Sequence, residues 1–354
     1  MDVSPIDVLV FAPLAPILGV LLFWFIQLIF IESQKYFLSK IRPKHGPLCR
    51  FTNFIGVLFQ SICHALGYTV TRSGISHFSV TIHYGKVKPK KEKTGIFEWI
   101  SNSFLFLGPF FIPAVLLLIC LFFLLNTASF NFSTGTHITF STGLQTFGEN
   151  LYGFSEGLFS YLFSIDLLHP AHLGFLLLLI FLGMGIRPSY IGEEHQKKVD
   201  MIYDLKNIKD HILRRPLYVV LLFLIAYVFF YVSFLFEQNW YVALFSLFGW
   251  LSIIAIVSLL ITHTIILLIR ITDEIPKPWK FIPYIVILLS YVLARVLFYY
   301  FPIEHLRSAS LVIMIISTVV ITILLLRYKT NRFKTKTAMK QLRVEDGPKR
   351  IIKQ

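Results

Sequence analysis

Seven apolar runs, each near or beyond the length of a bilayer's hydrocarbon core, constrain this chain more than any other feature. They are Val8–Ile31, Phe104–Leu125, Ala171–Ile186, Leu217–Phe236, Tyr241–Ile269, Phe281–Phe301 and Ser310–Leu326. A helix of about 20 apolar residues spans a bilayer core, and it does so because its backbone hydrogen bonds close internally where no water is present. Transmembrane barrel strands would instead read as short alternating segments. Phe51–Val70 is an eighth, weaker run. Asn53, Gln60, Ser61, His64 and Gly67 interrupt it, so it cannot face lipid on every side. With 56% of its 354 residues hydrophobic, the chain reads as an all-α polytopic membrane protein with about seven or eight transmembrane helices. The first run lacks a basic n-region and a small-residue cleavage site, and it reads as a retained helix rather than a signal peptide.

The formal net charge is +14, and its distribution decides its meaning. Lys35, Lys40, Arg42, Lys44 and Arg50 fill the loop after the first run. Arg187, Lys197, Lys198, Lys206, Lys209, Arg214 and Arg215 fill 187–216, and the segment after Leu326 is basic throughout. Thr127–Pro170 has no Lys or Arg. Charge sorted by loop in this way follows the positive-inside rule and does not call for nucleic acid. It places the N-terminus outside, the C-terminus in the cytoplasm, and the protein as a multi-pass resident of the cell membrane. Arg72–Ile100 is basic too, with Arg72, Lys86, Lys88, Lys90, Lys91 and Lys93. It fits the rule only if Phe51–Val70 dips into the membrane and returns. His77–Tyr84 alternates like a strand, which predicts a small β-hairpin after the second helix as the returning element. Non-helical backbone at membrane depth needs cover, so the hairpin is expected inside the bundle.

No repeat is visible. The chain divides into a membrane core over 1–190 with an external loop at 127–170, a cytoplasmic amphipathic helix over 191–216, a four-helix module over 217–327 and a basic tail over 328–354. The lipid bilayer is the expected partner, its anionic head groups facing the Lys86–Lys93 run and the tail, together with a membrane-protein partner. Cys49, Cys63 and Cys120 form no CxxC and imply no disulfide framework.

Polar residues in apolar surroundings carry the functional signal. Gln60 and His64 are four apart and share a helix face. This is the histidine spacing of the zinc motif HExxH, but Gln60 stands at the first histidine and Ser61 at the glutamate. The plainer reading is a polar slot that hydrogen-bonds between helices. Asp166, His169 and His172 form a second cluster that could join His64 around a metal. Its plainer reading is a polar span edge, with Pro170 opening a helix. Arg295 is an intramembrane charge that either snorkels or pairs with Asp166 or Glu237. His263 reads as a packing residue, since a relay would need a second ionisable group. Gly183-Met184-Gly185 reads as close helix packing. Asn131-Phe132-Ser133 matches a glycosylation sequon.

Over residues 51–190 this order resembles the site-2 protease family of intramembrane zinc metalloproteases. The resemblance rests on the Gln60–Gly67 slot, the strand-like Phe78–Tyr84 with Gly85, the Gly108-Pro109 entry to a long span, and a later carboxylate at Asp166. It implies that His64 matches the second motif histidine and Asp166 the family's aspartate ligand. With Gln60 and Ser61 replacing the first histidine and the glutamate, and Leu167 in place of a glycine after the aspartate, it implies a degenerate relative. Such a relative would keep no catalytic residue and need no cofactor, and would bind or regulate a membrane partner without cutting it. Two other readings stand beside it. One is a transporter or channel subunit, supported by Arg295 and His263. The other is an active zinc metalloprotease whose missing ligands come from His77, His83, His169 or His172.

Overall fold

The structure, a computed structural model, describes residues 5–82, 84–124, 139–186, 201–276, 279–300 and 306–345. Ten α-helices are seen among them: α1 (Leu14–Ile41), α2 (Gly46–Val70), α3 (Ile96–Leu124), α4 (Phe140–Phe163), α5 (Pro170–Gly185), α6 (Met201–Arg214), α7 (Pro216–Leu235), α8 (Trp240–Thr272), α9 (Ile282–Tyr300) and α10 (Leu306–Glu345). Two strands, β1 (Ile75–Val80) and β2 (Gly85–Pro89), pair antiparallel between α2 and α3. This is an all-α multi-pass membrane architecture with one small hairpin. Six helices are long and apolar enough to cross a membrane: α1, α3, α7, α8, the stretch Trp279–Tyr300 ending α9, and the first part of α10. The seven or eight expected from sequence are reduced because α5 has only 16 residues and the polar positions of α2 take it below the same threshold.

Contacts divide the chain into two units: residues 1–162 with 167–266, and residues 163–166 with 267–354. The boundary falls within α8, so the four late helices expected as one module are shared between the units.

In the first unit, α1 and α8 run parallel. The Tyr241 hydroxyl donates to the Pro13 carbonyl at one end (2.6 Å), and Phe37 meets the His263 ring edge-on at the other (centroids 4.8 Å). Helix α7 runs opposite, since Tyr227 Oη reaches the Val10 carbonyl (2.8 Å) at the start of α1. Small residues allow the remaining helices to approach closely, as membrane helices require. A Cβ on Gly19 would lie 2.3 Å from Phe147 of α4, and one on Gly249 2.4 Å from Leu151 of α4. One on Gly183 would lie 2.5 Å from Thr262 of α8, where Ser258 also donates to the Leu179 carbonyl of α5 (2.5 Å).

Helix α4 lies within the stretch expected as an external loop. Its buried residues Gly143, Thr146, Phe147, Asn150, Leu151, Phe154, Leu158 and Tyr161 recur at three- and four-residue steps and form one helical face. Asn150 donates to Ser246 Oγ (3.0 Å) and accepts from the Trp250 indole at its carbonyl (3.1 Å). Asp7 accepts the Phe140 N–H (3.2 Å) near the start of α4.

Helix α2 is one unbroken helix of 25 residues. It begins beside the end of α1, where Cys49 Sγ donates to the Leu38 carbonyl (3.5 Å). It finishes against the first turns of α3, where a Cβ on Gly67 would lie 2.9 Å from the Ser101 carbonyl. The start of α3 is tied in turn to the start of α7, since Arg215 donates to the Gly95 carbonyl (2.7 Å) and to Glu98 (2.9 Å). Along an unbroken helix its two ends stand about 37 Å apart, the first anchored on α1 and the second on α3.

Candidate functional site

The middle of α2 is a polar slot closed by the hairpin. Ser61 is buried (4% exposed), and its hydroxyl donates to the Val57 carbonyl one turn back (2.8 Å). The backbone of Gly85, the first residue of β2, lies against it. A Cβ there would stand 2.0 Å from Ser61 Oγ and 3.2 Å from Val57, so only glycine fits between strand and helix at this register. Two residues on, Cys63 packs under Gly108 of α3, where a Cβ would lie 2.9 Å from its sulfur. His64 is half-buried and stacks on Tyr68, one turn ahead (centroids 4.6 Å, 27°). Gln60, also half-buried, lies one turn behind it.

Only one side of the hairpin is held. Phe78 pairs with Val87, His77 with Lys88 and Ser79 with Lys86. A bulge at Ser76 is fixed by its hydroxyl bonding the carbonyls of Lys88 (3.2 Å) and Pro89 (3.0 Å). His77, Phe78, Lys86 and Lys88 are exposed, which corrects the expectation that the bundle covers the hairpin. The strands carry lysine and histidine outward and meet α2 through Gly85, so their polar face needs no cover. Buried hydroxyls lock the base of the hairpin: Thr71 Oγ1 lies 3.0 Å from Ser73 Oγ and 3.0 Å from Ser101 Oγ, and donates to the Gly67 carbonyl (2.8 Å). Lys93 caps the Thr71 carbonyl.

The carboxylate of Asp166 has a different partner from the one a metal site would require. In the second unit, Arg295 of α9 donates to Asp166 Oδ2 (2.8 Å) and Tyr291, one turn earlier, donates to Oδ1 (3.1 Å). The ion pair is largely buried, its side chains 17% and 13% exposed. Of the two partners expected for Arg295, Asp166 is the one found. Ser308 of α10 bonds the Phe163 carbonyl (2.8 Å), so the four-residue strap 163–166 is held by both late helices. His169 and His172 lie in the first unit. Their rings are 4.6 Å apart, and His172 also meets Tyr161 edge-on (5.6 Å). His169 is exposed.

A third cluster joins α3 to the amphipathic helix α6, described here from Met201. His211 lies flat on Trp99 (centroids 5.2 Å, 10°) and beside Phe106 (5.3 Å), and its Nε2 is 3.1 Å from Ser103 Oγ. Burial, reinforced by Arg214 and Arg215 and opposed by Glu98, holds its pKa below the ordinary 6.5. Trp99 also meets Tyr218 edge-on (5.9 Å). Sequence reading missed this cluster, although a tryptophan at the head of one apolar run and a histidine just before another mark an interfacial belt.

The donor set does not fit the zinc site considered from the sequence. One of the motif's two histidines is present, the hydroxyl at the glutamate position is turned onto its own helix beneath Gly85, and the aspartate is bound to a guanidinium. Among the described residues, no group of three or more His, Cys, Asp or Glu side chains gathers around a common point. His83 and the Asn131 sequon lie outside the described residues. No family model, curated protein or solved structure matches this chain.

Proposed function

We propose that this chain is a non-catalytic membrane protein with a site-2-protease-like core, acting as a binding or regulatory component for a membrane-embedded partner. One observation carries this reading: the backbone of Gly85 lies directly on Ser61, where a protease of that family would need an open carboxylate. A closed slot still serves as a rigid platform. Helix α2, the hairpin and α3 form it, and its base is cross-linked by the Thr71–Ser73–Ser101 hydroxyls. The order of helix, hairpin and proline-bearing long helix, with Pro109 and Pro113 in α3, supports the family reading.

In this reading α5 is a seventh crossing. Its 16 residues reach about 24 Å at 1.5 Å per residue, close to the hydrocarbon thickness. The N-terminus is then outside, and the basic segments at 42–50, 72–93 and 206–215 all face the cytoplasm, as the positive-inside rule requires. This reading requires that α2 does not cross, which removes the conflict that the basic hairpin would otherwise create.

The test is made on purified protein reconstituted in liposomes with a transmembrane peptide substrate and added zinc. The expected result is substoichiometric zinc by elemental analysis and an uncut peptide. Stoichiometric zinc with cleavage that His64→Ala and Asp166→Ala each abolish would overturn the proposal.

A further inference from the structure

Polar atoms without protein partners converge on the seam between α1 and α8. Gln27 is fully buried (0% exposed), as is Ser252. Neither Nε2 nor Oε1 of Gln27 finds a hydrogen-bond partner, nor does Oγ of Ser252, Nε1 of Trp24 or Nδ1 of His263. Such atoms are rare in folded proteins, and each costs about 1–3 kcal/mol when left unpaired. In a membrane interior, where no bulk water can reach them, the four such atoms of Trp24, Gln27 and Ser252 demand an occupant.

The contacts already described bring Trp24, Gln27 and Ser252 to one level of the seam, whereas His263 lies about 16 Å further along α8. Tyr241, Phe248, Ser252 and His263 follow one another on α8 at steps of 7, 4 and 11 residues, which keeps them on one helical face. That face is turned to α1 and α3: Tyr241 bonds Pro13, Phe248 meets Phe111 (5.5 Å) and His263 meets Phe37. On α1, Gln27 falls on the arc between Trp24, which touches Phe110 of α3 (5.7 Å), and Phe37, which touches α8. Depth agrees as well. Pro13 and Phe37 are 24 residues apart, and their partners Tyr241 and His263 are 22 apart. The two helices therefore run nearly in step, and Gln27 and Ser252 come level within about one turn. An amide that both donates and accepts, a hydroxyl and an indole N–H offer both polarities of hydrogen bond and no charge. That is the lining of a site for water, which needs two to four polar partners.

We propose that Trp24, Gln27 and Ser252 line a hydrated site inside the membrane, at the α1–α8 seam, in which water molecules hydrogen-bond their four otherwise unpaired atoms. The site is separate from the α2 slot and does not depend on the reading of that slot.

X-ray radiolytic footprinting of the full-length reconstituted protein in 18O-labelled water tests it, because bound water generates the hydroxyl radical beside the side chain it touches. Trp250 is the internal control: it is buried (2% exposed) and its indole N–H is engaged with Asn150. Trp24 is expected to gain 18O several-fold faster than Trp250. In Gln27→Leu/Ser252→Ala, Trp24 labelling is expected to fall to the Trp250 rate with that rate unchanged. Wild-type Trp24 labelled no faster than Trp250 overturns the proposal without reference to any variant. So does labelling of Trp24 that persists unaltered in the folded double variant.

Discussion

Asp166 and Gly85 set the strongest single-residue constraints. A largely buried ion pair that loses one member leaves the other charge uncompensated, at about 3–5 kcal/mol. Asp166→Ala is therefore expected to lower the thermal midpoint substantially. Asp166→Ala/Arg295→Met is expected to recover part of that loss, because no buried charge then remains; melts of both variants in the same detergent check this. Gly85→Ala drives a Cβ into Ser61 and is expected to destabilise by about 1–3 kcal/mol as overpacking. Ser61→Ala removes the obstructing hydroxyl and is expected to relieve part of the strain in a double-mutant cycle, whereas strict additivity would mean that the two residues do not touch. At this scale the sequence was legible where charge was concerned. An arginine in an apolar run either snorkels or finds an acid, and Asp166 was one of the two acids named. Gly85 and Gln27 were not legible: a glycine's need for space shows only once its neighbour is known, and one glutamine in the long run Val8–Ile31 raises no pattern.

The hairpin and helices α4 and α6 show what element-level reading captures. Alternation over His77–Tyr84 announced the hairpin, because period two has no helical interpretation. Helix α4 carried a readable face too, but Gly143, Thr146 and Asn150 on that face, and Gly, Ser, Gln and Glu between its positions, lowered its apolarity to that of a loop, and burial against α1 and α8 overrode local composition. Helix α6 is the element most open to pH. Since the folded-state pKa of His211 is depressed, the unfolded state binds more protons than the folded one as pH falls through 6.5, and the stability of this docking falls with it. Hydrogen exchange across 201–214, corrected for its intrinsic pH dependence, is expected to quicken on going from pH 7.5 to pH 5. His211→Phe, which keeps the ring contacts with Trp99 and Phe106, is expected to remove that dependence. Exchange with the same pH response in both proteins would assign the change elsewhere.

For the whole chain, apolar run length gave membrane class and most of the helices, whereas the division into units was hidden. It passes through the interior of α8 and sets four residues between α4 and α5 with the late helices, a consequence of long-range packing that no local window carries. The proposed topology, in which α2 does not cross, makes a prediction. Single cysteines placed at Lys44, Lys88 and Lys209 in a background lacking Cys49, Cys63 and Cys120 are expected to react with an impermeant maleimide from the same face of sealed vesicles. Labelling at 88 from the opposite face would show that α2 crosses. The Asp166–Arg295 pair has a consequence in time. Its members are 129 residues apart, so at ribosomal rates of 5–20 residues per second the aspartate waits about 6–26 s for its arginine. For that interval the nascent protein presents Asp166 without the guanidinium it meets in the finished structure, and any product truncated before α9 never acquires it.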